Sequence, residues 1–599
     1  MKRMTDIQPS TIPGMAECNI RIERTKPDIV DEIKNVLKKI LDYCLCCLTC
    51  GCYPVRNPSC SASGEEYHMV LLDTEKEAVR SLLQYLDEED GEQVLMEEHI
   101  RALHILAFSD NTELHQSAAL YYIEISKKLK YPLTTSLTKP LLALLRSRNT
   151  SVHKVATLAV SNFCLNGPDC NKDTLITCGV LDALIKLLGS PSVEVQCNTC
   201  GCITSLATND KYKHLIVKKN GVKPLLHLLK SDDQRVHRNA AGAVLNLTHQ
   251  QSNHEELVKS GVIPALVEVL HTTDHVVQYY SAASLSNIAV IDKHRTMIVA
   301  VGHFDVIKQL IKLLSSKSEK VRCQACSALR NIASDSDNQQ LIVQFGALSP
   351  LHQIISSGSQ DTLSTAVACL RNLSIHKNNE YVILKEEVLE SLCKVLTSGT
   401  NPEAQEHAAG TMHNLAVGDY RGVLVSENCV EALMFVVLDI ESNMALLQEA
   451  LSALAVLSEE EEVKYKLIEA QDGKFIYRLV CLASLASHPK VQYNSAGTLG
   501  QLVLVEIPSS IKKDNKQGIV LYIDSFLKAE DTDFVHMALW TLVQLLKDEM
   551  FLNAFQEQGI EPIVAKLEAA ESEGCITELA NYALTRLRGL DYSTSSSDD

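Results

Sequence analysis

Aromatic side chains are scarce in this chain: they make up 5% of 599 residues, and tryptophan occurs once, at Trp540. Apolar residues nevertheless reach 46%. Close contacts must therefore fall to Ala, Gly and Ser, which let helices approach without large rings between them. No run approaches the roughly 18 apolar residues that a membrane span requires. The opening Met1-Lys-Arg-Met-Thr-Asp leads into polar, proline-containing sequence and not into the apolar core of a secretory signal. A Gly-rich phosphate loop, a His-Glu-x-x-His pair and a Gly-x-Ser-x-Gly elbow are all missing. Catalysis thus has no constellation behind it, and no cofactor or metal is expected. Positive charge is short as well: 56 Lys and Arg stand against 74 Asp and Glu, a net −18. That balance disfavours a polyanionic partner, which sets nucleic acid aside. The 20 cysteines come without an export signal, so a reducing cytosolic setting is expected, where disulfides are rare.

What is present is a repeat. The stretch Arg238-Asn-Ala-Ala-Gly-Ala-Val-Leu-Asn-Leu-Thr returns in altered form along the chain, and its last asparagine marks the register. Asn246, Asn287, Asn331, Asn372 and Asn414 are spaced 41, 44, 41 and 42 residues apart. The same ruler reaches Ser205, Asn162 and Glu124 upstream, and Val456, Gln501, Gln544 and Arg586 downstream. A period near 42 built of helical pieces is the mark of an armadillo or HEAT array. The fold expected is all-α, a right-handed superhelical solenoid of about twelve armadillo repeats over residues 75–590, with a partly disordered N-terminal region.

Taken in order, residues 1–27 hold Pro9, Pro13 and Pro27 and read as disordered. Residues 28–62 open with an amphipathic pattern in which Ile29, Ile33, Val36, Ile40 and Cys44 share one face. Such a helix packs on the first repeat or lies in a membrane interface. A cysteine cluster follows: Cys44, Cys46, Cys47, Cys50, Cys52 and Cys60. Cys47-x-x-Cys50 has metal-like spacing but lacks a second ligand pair. Gly51, Pro54 and Pro58 argue against a long packed helix. S-acylation is the reading favoured here, since cytosolic cysteines beside an amphipathic helix accept palmitate. Residues 1–62 carry nine Lys or Arg and seven Asp or Glu, net +2, so the remainder is −20. The cysteine end is thus the end that anionic lipid repels least. Residues 63–74 read as a linker, and 591–599 as a disordered tail. Helices are expected at Ala78–Leu86, His99–Leu106 and Glu113–Lys128, with the acidic loop Asp87-Glu-Glu-Asp-Gly-Glu between the first two. Gly179, Gly221, Gly261 and Gly346 open units, supplying the left-handed turn that closes the preceding helix. Residues 459–462 read as an acidic turn and 505–518 as a longer loop.

The candidate site lies on the ladder of asparagines. One reading has each amide brace the neighbouring repeat; another has Asn246, Asn287, Asn331, Asn372 and Asn414 hydrogen-bond the main chain of an extended peptide. The two can coexist. Arg330, Arg371 and His413 each precede a rung by one residue, which predicts a partly basic strip. Such a strip either pairs with local carboxylates or anchors an acidic or polar segment. Tyr280 lies near the Asn287 rung, facing the groove or packed. Cys197-x-x-Cys200-x-Cys202 and Cys323-x-x-Cys326 fall inside ladder helices, where Cys serves as a small apolar contact.

At these residues the chain resembles the fungal vacuolar armadillo proteins, lipid-anchored adaptors of vacuole inheritance and fusion. The resemblance covers roughly residues 70–590. It rests on Ser109-Asp-Asn-Thr-Glu-Leu-His-Gln-Ser-Ala-Ala-Leu, Val195-Gln-Cys-Asn, Gly201-Cys-Ile-Thr-Ser-Leu-Ala-Thr, Val277-Gln-Tyr-Tyr and Ala538-Leu-Trp-Thr-Leu-Val-Gln-Leu-Leu, together with the Cys-rich N-terminal segment. It implies a non-enzymatic scaffold on the cytosolic face of the vacuole membrane, engaged in inheritance, fusion, nucleus–vacuole contact and autophagy. The partners it implies are a myosin cargo adaptor, a nuclear-envelope tether and an autophagy kinase regulator, bound as extended segments in the groove, with self-association open. The family's groove arginines fall on Arg330 and Arg371, while the third position is His413, expected to make binding pH-sensitive near ~6.5. Family members begin Met-Gly and are myristoylated there; this sequence begins Met1-Lys, so either attachment rests on the helix and the acylated cysteines or the start used differs from the one written.

Two other classes share the ladder. A nuclear import adaptor places Trp four residues before most rungs, but here those positions are Gly242, Ala283, Ser327, Ala368 and Gly410, and an Arg-rich autoinhibitory arm is missing. A soluble catenin-type signalling or adhesion scaffold would dispense with the cysteine cluster.

Overall fold

The computed structural model describes residues 71–87, 95–128, 131–357, 359–484, 487–570 and 574–589. The N-terminal amphipathic segment, the six clustered cysteines, most of the acidic loop after Asp87 and the tail lie outside the described residues. The chain forms two compact units, one ending at Val306 and the other starting at Ile307. Among the described residues both are helical throughout.

In the first unit, one repeat shows how sequence becomes structure. Its helices are Asp210–Lys218, Val222–Leu228 and the ladder helix Gln234–Thr248. Asp233 caps the ladder helix, its carboxylate accepting from the N–H groups of Arg235 and Val236 at 2.9 and 3.2 Å. Val222, Leu225 and Leu226 of the middle helix are buried against the ladder helix, whose Ala240-Ala-Gly-Ala-Val-Leu run is buried on every side. Each fully buried Leu contributes about 1.5–3 kcal/mol. Small side chains on this helix are what allow Val193–Leu206 on one flank and His275–Ile288 on the other to pack against it. Tyr280 is one result: it is 6% exposed, its ring lies 3.5 Å from where a Cβ on Gly242 would stand, and it therefore packs between repeats.

The turns follow the expected pattern with one correction. Gly179 and Gly261 in this unit adopt φ of 84° and 89°, as does Gly346 (86°) in the second. Gly221 does not, with φ −68°. Its neighbour Asn220 takes the left-handed position at φ 59°. Gly221 is required for closeness instead, because a Cβ there would stand 2.9 Å from Ile216 Cγ2 and 3.0 Å from its carbonyl oxygen.

A second device recurs at the turns. A side chain in the first turns of a helix reaches back six residues to a carbonyl in the turn that precedes it. Gln196 reaches Ser190 O (2.8 Å), Gln278 reaches Thr272 O (2.7 Å), and His115 and His153 meet Ser109 O and Ser147 O at 2.7 and 2.6 Å. In the second unit Arg322 reaches Ser316 O (2.8 Å) and Gln339 reaches Ala333 O (2.9 Å). These carbonyls lie outside the helical ladders, and the side chains supply their donors.

The ladder helices of the second unit are Glu319–Ile332, Gln360–Leu373, Pro402–Ala416, Met444–Leu457, Pro489–Leu502, Thr532–Leu545 and Cys575–Leu587. Those of the first unit are Thr112–Lys128, Thr150–Leu165, Val193–Leu206, Gln234–Thr248 and His275–Ile288. Every position of the sequence ruler, from Glu124 to Arg586, falls near the C-terminal end of one of these helices.

Residues 505–518 correct the expectation of a loop. Ser509–Leu527 is one 19-residue helix. Pro508 sits just before its first turn, where a missing N–H costs nothing. Lys512 pairs with Asp548 at 2.7 Å. Gly518 marks a close contact, not a break: a Cβ there would meet Val480 Cγ1 at 2.5 Å. The acidic residues Glu461 and Glu462 open the helix Glu461–Glu469, where their charge suits the helix N-terminus.

Candidate functional site

The ladder asparagines brace the repeats through one specific vacancy. At the end of the helix Val193–Leu206, Ala207 N–H donates to Ile203 O and Thr208 N–H to Ser205 O, stepping over Thr204 O. Asn246 Nδ2 of the next repeat donates to that carbonyl at 3.1 Å. The second unit repeats the arrangement. Ala333 and Ser334 step over Arg330 O, which accepts from Asn372 Nδ2 at 2.9 Å. Ser374 and Ile375 step over Arg371 O, which accepts from Asn414 Nδ2 at 3.1 Å. Asn287 reaches Thr248 Oγ1 instead, at 3.0 Å, and Asn162 reaches Ser126 Oγ at 2.9 Å. One donor of each of these amides is thereby committed to its neighbour. Asn246 is 4% exposed, whereas Asn287, Asn331, Asn372 and Asn414 remain partly exposed.

The basic strip is brought together in the second unit, and it contains a carboxylate that the repeat register does not announce. Arg371 Nη2 donates to Glu449 Oε1 at 2.8 Å, from a helix two repeats further on. His413 Nδ1 stands 4.0 Å from the other oxygen, Glu449 Oε2. The guanidinium lies across Gly410: a Cβ at that position would stand 2.5 Å from Arg371 Nε. Arg371 Nη1 is 3.5 Å from His407 Nδ1. Arg330 Nε and Nη2 donate to the amide oxygen of Asn331 at 3.3 and 3.2 Å. Arg371, Glu449 and His413 are 27%, 13% and 33% exposed, a half-buried setting in which charge is weakly screened.

Electrostatics follow from that setting. Burial, with the Arg371 and Arg330 charges adding to it, pushes His407 down to about 4. Burial also lowers His413, against the opposing pull of Glu449. Both imidazoles are therefore neutral at pH 7, and the expected titration of His413 near ~6.5 moves to lower pH. The guanidiniums of Arg330 and Arg371 stand with the carboxylate of Glu449, and Glu403 lies 4.0 Å from His407 at the edge of the cluster. Glu449 had one signal in the sequence: it is the sole charged residue of the helix Met444–Leu457.

Cys200, Cys202 and Cys326 are fully buried, and burial pushes their thiols up, as apolar contacts should be. Among the described residues no group of three His, Cys, Asp or Glu side chains is placed to hold a metal, and no helix is long and apolar enough to cross a membrane.

The stacked three-helix units and their asparagine rungs define an armadillo-repeat protein. The model of the armadillo/beta-catenin-like repeat matches residues 168–208, 209–249, 252–290, 296–334 and 335–375. Among known proteins the chain is 37% identical over 534 residues to Vacuolar protein 8 of Schizosaccharomyces pombe, covering 87% of this chain and 92% of that one. It is 38% identical over 155 residues to Vacuolar protein 8 of Chaetomium globosum, covering 25% and 27% of the two chains. The chain belongs to the fungal vacuolar armadillo-protein family. Among solved structures, an engineered protein at 26% identity superposes with TM-score 0.61 over 69% of this chain and 99% of its own. A structure from work on the phosphorylation-switched interaction of cadherin and beta-catenin superposes with TM-score 0.64 at 14% identity, over 86% of this chain and 99% of its own, a likeness of fold.

Proposed function

We propose that this chain is a non-enzymatic scaffold at the cytosolic face of the vacuole, and that the ladder face of its second unit binds extended, acidic segments of partner proteins. The observation that carries the reading is the half-buried cluster of Arg330, Arg371, His413 and Glu449 beside partly exposed rungs. Arg330 and Arg371 are the anchors for a carboxylate or phosphate on the bound segment. His413, neutral at pH 7, offers a hydrogen bond and not a third charge. The partly exposed amide groups of Asn331, Asn372 and Asn414, and of Asn287 in the first unit, are available to a peptide main chain through whatever donor and acceptor capacity bracing leaves, whereas the expected rung Asn246 is buried and serves bracing alone. Glu449 is a built-in competitor: a ligand carboxylate displaces it from Arg371, so binding is an exchange of one anion for another.

Membership of the family supports vacuolar work. Inheritance through a myosin cargo adaptor, nucleus–vacuole contact through a nuclear-envelope tether, and cytoplasm-to-vacuole targeting through an autophagy regulator are the processes proposed. Attachment is assigned to S-acylation of Cys44, Cys46, Cys47, Cys50, Cys52 and Cys60. Acyl–thiol exchange on protein from native cells, with these six changed to Ser as control, tests it. Label that vanishes in the control while the protein turns soluble supports the anchor; no label on a soluble wild type sinks it.

The groove is tested with the full chain and paired extended peptides, one acidic and one basic, in fluorescence anisotropy. Salt-sensitive binding of the acidic peptide alone is expected. Preference for the basic peptide would overturn the reading and favour an import adaptor.

A further inference from the structure

A pair of thiols stands away from the ladder. The helices Val388–Ser398 and Cys429–Leu438 are the middle helices of consecutive repeats and pack against each other. Cys393 on the first is partly exposed; Cys429, the opening residue of the second, is fully buried. Their sulfurs are 3.8 Å apart. Asn428, held left-handed at φ 59°, sets the turn that brings Cys429 to this place. Cys393 opens onto a surface cleft of about 580 Å³, lined also by Glu390, Lys394, Thr397, Glu431 and Phe435. Lys394 and Glu390 pair at 2.7 Å along its rim.

We propose that Cys393 and Cys429 form an oxidisable dithiol, which a hydroperoxide reaching the cleft converts into a disulfide tying the two repeats together. The chemistry balances as follows. The Cys393 sulfur, as thiolate, attacks one oxygen of hydrogen peroxide; the O–O bond breaks, the leaving hydroxide takes up the thiol proton as water, and Cys393 becomes a sulfenic acid. The Cys429 sulfur then attacks the Cys393 sulfur; the S–O bond breaks, and hydroxide leaves with the Cys429 proton as a second water. Two thiols have given two electrons to one peroxide, and any small dithiol reductant reverses the step by exchange.

The geometry divides the roles. Cys393 has access to the cleft, and Cys429 waits behind it, shielded from direct oxidation. The hydrogen bond between the two thiols holds Cys393 below its ordinary value, while the same bond and burial push Cys429 up. The sulfurs must close from 3.8 Å to about 2.05 Å, which side-chain rotation of the partly exposed Cys393 can supply. A reducing compartment keeps such a pair open until peroxide rises, the usual behaviour of cytosolic disulfides. With no third ligating side chain grouped there among the described residues, the pair is suited to oxidation and not to holding a metal.

The test uses the reduced full chain, a small molar excess of hydrogen peroxide, alkylation of remaining thiols, and mass spectrometry of a digest made without reductant. A linked peptide joining Cys393 to Cys429 is expected, disappearing on treatment with dithiothreitol. In Cys429→Ser, Cys393 should instead accumulate a dimedone-trapped sulfenic acid that the wild type does not retain. Both thiols alkylated after peroxide, or equal dimedone labelling in the two proteins, overturns the proposal. If Cys429→Ser fails to fold, the linked peptide in the wild type decides alone.

Discussion

Arg371 and Glu449, 78 residues apart in sequence, meet at 2.8 Å across the ladder helices of the second unit. The intervening ladder helix, Pro402–Ala416, leaves room for the contact at Gly410, where a Cβ would collide with the guanidinium. The pair is 27% and 13% exposed, between the surface and the buried case. Changing Glu449 to Gln should therefore lower the free energy of unfolding by about 1–2 kcal/mol in urea titration.

Asn372→Ala removes the donor that satisfies Arg330 O. An orphaned carbonyl in a partly buried contact costs about 1–3 kcal/mol. Chemical denaturation should show that loss with an unchanged slope. A loss near zero would mean that water replaces the amide and that bracing is not what fixes asparagine at the rung.

His407 supplies a pH dependence whose sign is set by its depressed value of about 4. The unfolded chain, with His near 6.5, binds the proton more readily than the fold does. Stability from this residue is full above about 6.5 and falls as pH drops from there toward about 4, by an amount on the order of 3 kcal/mol. His413 and His254, both lowered by burial, act with the same sign. Urea midpoints at pH 7 and pH 5 should differ in that direction, and His407→Gln should shrink the difference.

Gly518→Ala separates two opposed effects inside the helix Ser509–Leu527. Alanine favours a helix by about 1 kcal/mol over glycine. Its Cβ, however, would stand 2.5 Å from Val480 Cγ1, and overpacking costs about 1–3 kcal/mol. Net destabilisation is expected in a thermal melt, with Val480→Ala in the same protein restoring much of it. Simple stabilisation by Gly518→Ala would mean that Val480 yields at little cost and that close approach is not what selects glycine there.

The ladder was legible because an asparagine at one fixed helix position braces the preceding repeat, on a helix-end carbonyl at Asn246, Asn372 and Asn414 and on a hydroxyl at Asn162 and Asn287; a recurring need leaves a recurring letter. The carbonyls at the other turns are met by His115, Gln196, Gln278 and Arg322. Any long donor fills that need, so no single letter repeats and the sequence is silent. Gly221 misled for a related reason. Glycine serves both a left-handed turn and close approach, and only the position of Ile216 says which. Glu449 escaped because it answers a residue two repeats away, beyond the reach of a one-repeat ruler. The common helix position of Arg330, Arg371 and His413, by contrast, follows from a shared register and needs only spacing to be read.

Binding of an acidic extended peptide to the full chain, compared between wild type, Arg330→Glu and Glu449→Gln, tests the central claim most directly. Arg330→Glu should weaken binding by at least about tenfold, ~1.4 kcal/mol, with an unchanged melting temperature. Glu449→Gln should strengthen it, because Arg371 loses its internal partner while the fold loses stability. Unchanged affinity in Arg330→Glu, or weakened binding in Glu449→Gln, would contradict an anion-exchanging groove.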